Sequence, residues 1–550
     1  MTHEIDFFEE SKKITQHFLQ SVVAIDDRME FKSRGIEDEY ELVEPEETEL
    51  GQIESKVEIA PLEHKLYYQD LSLEFASKGI VCGGFSPTPD VGSSLDAIVN
   101  TSKNADITIL DWQMPIAGND GSLATDAVIK IAQNDINDGG RTRLICIYTA
   151  KNADDVAKSI IDSIAIFLPE LSGLTISFKN PKLSHWKIEI VNKEKQEVEL
   201  CSFLIESFTR LTAGLLSNAA LSSIAAIRDN THNLLHKFNK NLDPAYLSHV
   251  LGLISSPDMR DHASDVAFDY AVDLISEELK SELQISKIVR HSLSKEIISS
   301  WPNFVNRPQR IDCFRLKIGK ENIQMFDSSI MKKLIDAATE TELKDVLEHD
   351  IGFTEVEGKA PLTRFTKLPI QLTIFDDDTK PLLELCSLES VRRDITTVSD
   401  DHIPALKQGT ILKERTANKY YVCIQPICDS VRLEGKSSFS LMKISNSRSS
   451  FTHVIRAGNG HLKLKISPVP KNIRTFSFNP DEDHKIVRAV RRGEKEFLFV
   501  DDSGGEKNEI EFEWCGELKQ PISQAIVNGL ASQLARVGLD SFEWLRLKQN

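Results

Sequence analysis

Two short apolar runs in this chain end in acidic residues, and they constrain the fold more than any other feature. Val22, Val23, Ala24 and Ile25 run directly into Asp26 and Asp27, and Ile107 to Leu110 run into Asp111. Such runs are too short for helices and fit buried strands of a parallel sheet, where both faces are covered. Met114 and Pro115 stop the second run, because proline cannot continue a central ladder. Carboxylates at the C-terminal tips of parallel strands lie where open α/β sheets bind ligands. Three of them suit a hard divalent cation such as Mg²⁺. Two more runs follow: Leu144 to Tyr148, closed by Thr149, and Trp186 to Asn192, closed by Lys193. A hydroxyl and an ammonium at such tips can bond and pair with phosphoryl oxygens. Strand-then-acid patterns also occur at Phe375 to Asp378 and at Val500 to Asp502, without the accompanying hydroxyl and lysine. Only the ordered set of five is informative.

That set resembles the receiver domain of two-component response regulators, over about the first 210 residues. The resemblance implies that Asp26 and Asp27 are the metal-binding acidic pair and that Asp111, in D-W-x-M-P, is the phosphoacceptor and a third metal ligand. It also implies that Thr149 is the site hydroxyl and Lys193 the site lysine, that Mg²⁺ is the cofactor, and that a sensor histidine kinase is the phosphate donor. Two spacings depart from the family. Asp27 to Asp111 requires an insertion over 28–67, and Thr149 to Lys193 is long. Lys179, in SFKNP with its following proline, is therefore a rival for the lysine. Lys193 is preferred because EVELCSFLIESFTRL after it reads as the last helix of a receiver.

Taken in order, Phe7 to Leu19 has a helical apolar pattern. Residues 37–49 hold eight acids and no base, the signature of a solvated loop. Helices are expected at Pro61–Lys78, Ser94–Lys103, Ser122–Gln133 and Asp154–Ile166, with a strand at Gly79–Phe85. The alternation implies an α/β, doubly wound parallel sheet over 1–212. A helical module, 213–300, should follow, with one long helix or two abutting ones over Ser202–Phe238. This module could pair with a copy of itself or with a partner. Within it, His232 and His236 share a helix face. They read as metal ligands lacking a third, as a phosphotransfer site, or as plain surface histidines, and the last is favoured. Residues 301–550 read as a β-rich α+β domain of unknown role, closed by a helix over Ile522–Val537.

The formal net charge of −19 argues against sequence-independent nucleic-acid binding. No apolar run approaches membrane-spanning length. The acidic N-terminus lacks an apolar signal core. Eight cysteines are scattered without CxxC pairs, as in reduced cytoplasmic proteins. The close pair Cys423 and Cys428 reads as two buried small residues. The order of receiver, helical segment and FEWCGELK…FEWLR tail also resembles large bacterial receiver proteins of Detocs-like anti-phage systems. There one receiver drives an effector and another absorbs stray phosphate. No nuclease, nucleosidase or DNA-binding pattern is recognisable here, which fits the absorbing or relaying member. The competing expectation is a receiver-gated effector with an activity in the C-terminal half.

Overall fold

The computed structural model describes residues 5–31, 33, 65–114, 121–257, 260, 263–305, 313–319, 322–353, 363–364, 370–374, 379–398, 402–457, 460–482, 484–493, 496–501 and 509–535. The acidic stretch 37–49, most of the insertion, the acids at 376–378 and the FEWLRLKQN tail lie outside them. The chain forms two compact units. The first comprises 1–237, 276–314 and 324–364, and the second 238–275, 315–323 and 365–550.

The first unit opens with helix α1, Phe7–Phe18, capped by Asp6, whose carboxylate accepts from the Phe8 and Glu9 amides. Strand β1 is Ser21–Ile25. The insertion is closed at its base by a two-residue parallel ladder between β2, Met29–Glu30, and β3, Leu66–Tyr67. Then come α2 (Tyr68–Ser77), β4 (Val81–Phe85), α3 (Val91–Ser102), β5 (Ile107–Asp111) and α4 (Ser122–Asn137). They are followed by β6 (Arg143–Thr149), α5 (Ala153–Ser163), the hairpin strands β7 (Pro169–Ser172) and β8 (Thr175–Phe178), β9 (Trp186–Asn192) and α6 (Glu197–Thr212). The sheet order is β4-β1-β5-β6-β9-β8-β7, and the first five strands are parallel.

Alternation along each strand feeds two cores. Val23, Ile25, Leu110, Ile145 and Ile188 face the side covered by α3, α4 and α5. Val22, Ala24, Ile109, Cys146 and Val191 face the side of α2 and α6, with Phe75, Leu204 and Phe208. Both faces are covered, so the central strands β1, β5 and β6 read as continuous apolar runs. Burying one such aliphatic side chain contributes about 1.5–3 kcal/mol before entropy is counted.

The long Thr149–Lys193 spacing is taken up by the β7–β8 hairpin, which adds two antiparallel strands beside β9. Its two-residue loop uses Gly173 at φ +63°, the left-handed region glycine enters without strain. Of the one long helix or two abutting ones expected over Ser202–Phe238, the structure has the broken form: α6 ends at Thr212 and α7, Leu215–Asp229, leaves at 118°. Gly214 stands at the break with extended backbone. Residues 231–237 then form a separate short helix.

Helix α1 packs between α6 and α7. Lys12 pairs with Glu206 at 2.8 Å, Ser11 accepts from the Asn218 amide at 2.9 Å, and the Arg228 guanidinium donates to the Phe18 carbonyl. Phe7 packs at a tilt against Phe304 of the helix Lys295–Val305 with centroids 4.9 Å apart. Among the described residues no single helix is long and apolar enough to cross a membrane.

The second unit centres on a ten-stranded sheet. Along its main path lie His453–Ala457, Gly460–Lys465, Ser437–Asn446, Lys419–Cys423, Thr410–Glu414, Ile510–Leu518, Phe497–Asp501 and Val490–Arg491. One face packs aromatics, including Phe439, Phe478, Phe512 and Trp514. The other packs Ile411, Val422, Met442 and Leu464 under the helix Gln520–Leu534. Cys423 is buried in this sheet, but Cys428 is exposed. It falls in a 3₁₀ turn behind Pro426 rather than on a strand, so no neighbouring layer covers it.

At the N-terminal end of β6 a buried ion pair holds the first unit together. Arg143 is fully buried and grips Asp135 of α4 through two bonds of 2.7 and 3.0 Å. The Trp186 indole donates to the same carboxylate at 2.9 Å. Removing one partner of such a pair leaves an uncompensated charge out of water. Asp135→Ala should therefore lower the unfolding free energy by about 3–5 kcal/mol in urea titrations. A loss below about 1 kcal/mol would show that water enters and screens Arg143.

Candidate functional site

The parallel strands β1, β5, β6 and β9 are neighbours, so their C-terminal tips lie side by side. The chain runs from β1 out to β4 on one side and then crosses back from β4 to β5 on the other, making β1–β5 the point where strand order reverses. Open α/β sheets bind ligands in the crevice at such a point. Asp26 and Asp27 follow β1, and Asp111 ends β5. Their carboxylate oxygens lie within 4.8 Å of one another.

Lys193, one residue beyond β9, reaches into this crevice. Its ammonium lies 2.8 Å from Asp26 Oδ2 and 3.2 Å from Asp111 Oδ1. Backbone bonding sets its position, because the Lys193 amide donates to the Thr149 carbonyl at 2.8 Å. Lys179 does not approach the acids. It is exposed on the edge hairpin and pairs with Glu170 at 2.5 Å. Thr149 closes β6 fully buried, and its hydroxyl accepts from the Lys151 amide at 3.0 Å. The ordered set from the sequence is thus gathered at one end of one sheet.

Local chemistry explains why these side chains hold still. The Arg28 amide donates to Asp26 Oδ1 at 2.7 Å, and the Gln113 amide to Asp111 Oδ1 at 3.2 Å. The Ser86 hydroxyl, just after β4, donates to the Asp26 carbonyl at 2.8 Å. Gly121 stands before α4 at φ +82°, where a Cβ would overlap the Trp112 indole that follows Asp111. Glycine is therefore required on both counts.

The electrostatics are unbalanced. Three carboxylates face one buried ammonium, and the exposed Arg28 guanidinium, 3.9 Å from Asp27 Oδ2, adds further positive charge. Burial pushes the Asp26 carboxyl above the ordinary range; Lys193 opposes this and Asp111 adds to it. Burial also raises Asp111, with Lys193 again opposing and the neighbouring Asp27 carboxyl adding to the rise. Asp27 Oδ1 is buried without a hydrogen-bond donor. A buried acceptor left unpaired in a surplus of negative charge is the environment of an oxygen-ligated divalent cation. Asp26, Asp27 and Asp111 form the group of this kind found among the described residues, and they fit such an ion.

Sequence reasoning missed Tyr148. Its hydroxyl donates to the Lys195 carbonyl at 2.7 Å, and the Lys193 ammonium lies 5.6 Å from its ring centroid. It thereby anchors the turn that carries Lys193. A tyrosine inside an apolar strand gives no sequence signal beyond core packing. His232 and His236 are both exposed on the short helix Thr231–Lys237.

No curated protein and no solved structure matches this chain. One protein family does, over residues 18–190: the response receiver domain. The matched segment runs from the end of α1 into β9 and contains Asp26, Asp27, Asp111 and Thr149. Sheet order, strand-tip acids and family match agree, and residues 18–190 are a response receiver domain.

Proposed function

We propose that this protein accepts a phosphoryl group from a partner histidine kinase onto Asp111 and serves as a phosphate sink or relay. The observation that supports it most is the gathering of Asp26, Asp27 and Asp111 within 4.8 Å around the Lys193 ammonium. Mg²⁺ held by the three carboxylates would supply the positive charge that a phosphoryl group needs beside them. Asp111 is the nucleophile. Its oxygen forms the new bond to phosphorus as the bond to the kinase histidine nitrogen breaks and the imidazole leaves. Lys193 offsets charge on the transferred group. The Thr149 hydroxyl bonds the new phosphate oxygen and moves toward it.

The remaining chain is read as follows. Residues 213–300 carry the signal from the receiver, and 301–550 form a binding rather than a catalytic region. Both faces of the sheet in the second unit are filled by apolar side chains, which supports this. The whole-chain resemblance favours a cytoplasmic bacterial anti-phage phosphorelay, in which this protein drains phosphate away from a second receiver that drives an effector.

Labelled phosphate from candidate kinases should appear on the wild-type protein as a hydroxylamine-labile adduct and be absent from Asp111→Asn. Undiminished labelling of the variant would place the acceptor elsewhere. In cells carrying the complete system, Asp111→Asn should release the effector and be toxic if the protein is a sink. A silenced response would instead assign it as the effector. Replacing both His232 and His236 by Gln should leave acceptance unchanged, and loss of onward transfer alone would make one of them a relay.

The raised carboxyls also make a pH prediction. A group held above its unfolded value binds its proton more tightly when folded, so stability falls as pH rises through the folded value. Without metal, wild-type melting temperature should therefore fall relative to Asp111→Asn as pH rises from about 4 toward neutrality. Millimolar Mg²⁺ should reverse the difference at pH 7, because it binds the three-carboxylate site more tightly. Equal melting temperatures across that range, with and without Mg²⁺, would rule out a metal-binding acidic pocket.

A further inference from the structure

The helix Asp243–Ser255 does not have one buried residue. Thirteen residues of isolated helix are marginal in water, and helices in proteins are normally held by packing an apolar face. This one carries such a face and leaves it uncovered: Leu247, Leu251 and Ile254 recur at i, i+4 and i+7 and are 41–56% exposed. The next helix, Ala263–Ile285, repeats the pattern with Phe268, Val272 and Ile275, 38–64% exposed. The two helices meet each other through another edge, where Tyr246 donates to the Ala267 carbonyl at 2.8 Å and His249 lies 4.6 Å from Tyr270.

We propose that the chain forms a homodimer through this hairpin, two copies laying their 243–255 helices together about a two-fold axis. Area is the first support. The six side chains of the two stripes leave on the order of 600 Å² of apolar surface in water. A stable homodimer interface takes roughly 800 Å² from each partner, about 65% of it apolar, so the stripes are large enough to form its core. The spacing is the second support, because a stripe at i, i+4 and i+7 is complementary to another helix.

Charge selects the occupant. Residues 243–255 hold one acid, Asp243, and neither Lys nor Arg, so two copies meet without like charges opposed. The helix Ala263–Ile285 holds six acids and one lysine. Placed outside the neutral pair, these acids stay in water. A lipid surface would ask for Lys or Arg beside the apolar stripe, and residues 243–255 have none.

Sedimentation and light scattering on the full-length protein test this. At about 100 µM the wild type should show twice the chain mass of 61.8 kDa. The double variant Leu247→Glu/Leu251→Glu should run as a monomer with an unchanged circular dichroism spectrum and unchanged phosphate acceptance, since neither side chain is buried in its own protomer. The milder Leu251→Gln should weaken self-association about tenfold or more. A monomeric wild type at that concentration would overturn the proposal. So would a dimer that all these substitutions leave intact. A monomer whose capture of the partner kinase is lost in the double variant would assign the stripe to that kinase and likewise overturn self-association.

Discussion

One ammonium group among three carboxylates organises the receiver. Lys193 lies just beyond β9, Asp26 just beyond β1 on the far side of β5, and Asp111 at the end of β5 between them, so the ion pairs tie three strand tips at the point where strand order reverses. The arrangement is undercharged by design of the fold rather than by accident of a side chain. Backbone amides fix Asp26 and Asp111, the sheet fixes Lys193, and Asp27 keeps an oxygen without a donor. Asp26, Asp111 and Lys193 are buried and cannot swing out to water to relieve the repulsion, while Asp27 is half-buried beside the Arg28 guanidinium. A rigid deficit of positive charge is what makes an acidic pocket receptive to a cation, since a mobile one would simply relax.

The site was readable from sequence because buried parallel strands display themselves as apolar runs, and the residue after each run marks a tip. Trp186–Asn192 was delimited as observed for that reason, and Lys193 with it. The hairpin Pro169–Phe178 was not recognised, since PELSGLTISF mixes exposed and buried positions on a sheet edge and gives no continuous run. A break within Ser202–Phe238 is one of the two sequence readings, but its place and angle are not legible. Helical periodicity continues on both sides of Gly214, and the change of direction depends on what each helix packs against. Long-range polar pairs left no trace at all. Nothing local to Asp135 or Arg143, or to Ser11 and Asn218, announces that they meet.

The second unit has the opposite balance. Its aromatic and aliphatic faces explain its stability, but the same filled interior gives little for chemistry to act on. Its buried thiols illustrate this. Burial pushes Cys423 up to about 12, so it remains a protonated, unreactive core residue.

The position of α1 has a consequence for how the chain is made. Its buried face, Phe7, Ser11, Ile14 and Thr15, finds partners on α6, α7 and the helix Lys295–Val305, and the Lys12–Glu206 pair joins residues 194 positions apart. At ~5–20 residues per second, about 10–40 s of synthesis separates α1 from α6 and α7. During that interval an amphipathic helix with two adjacent phenylalanines stands uncovered while the receiver sheet assembles behind it. Completion of the receiver is thus gated by the arrival of the helices that follow it, and the domain reaches its finished packing only when they have emerged.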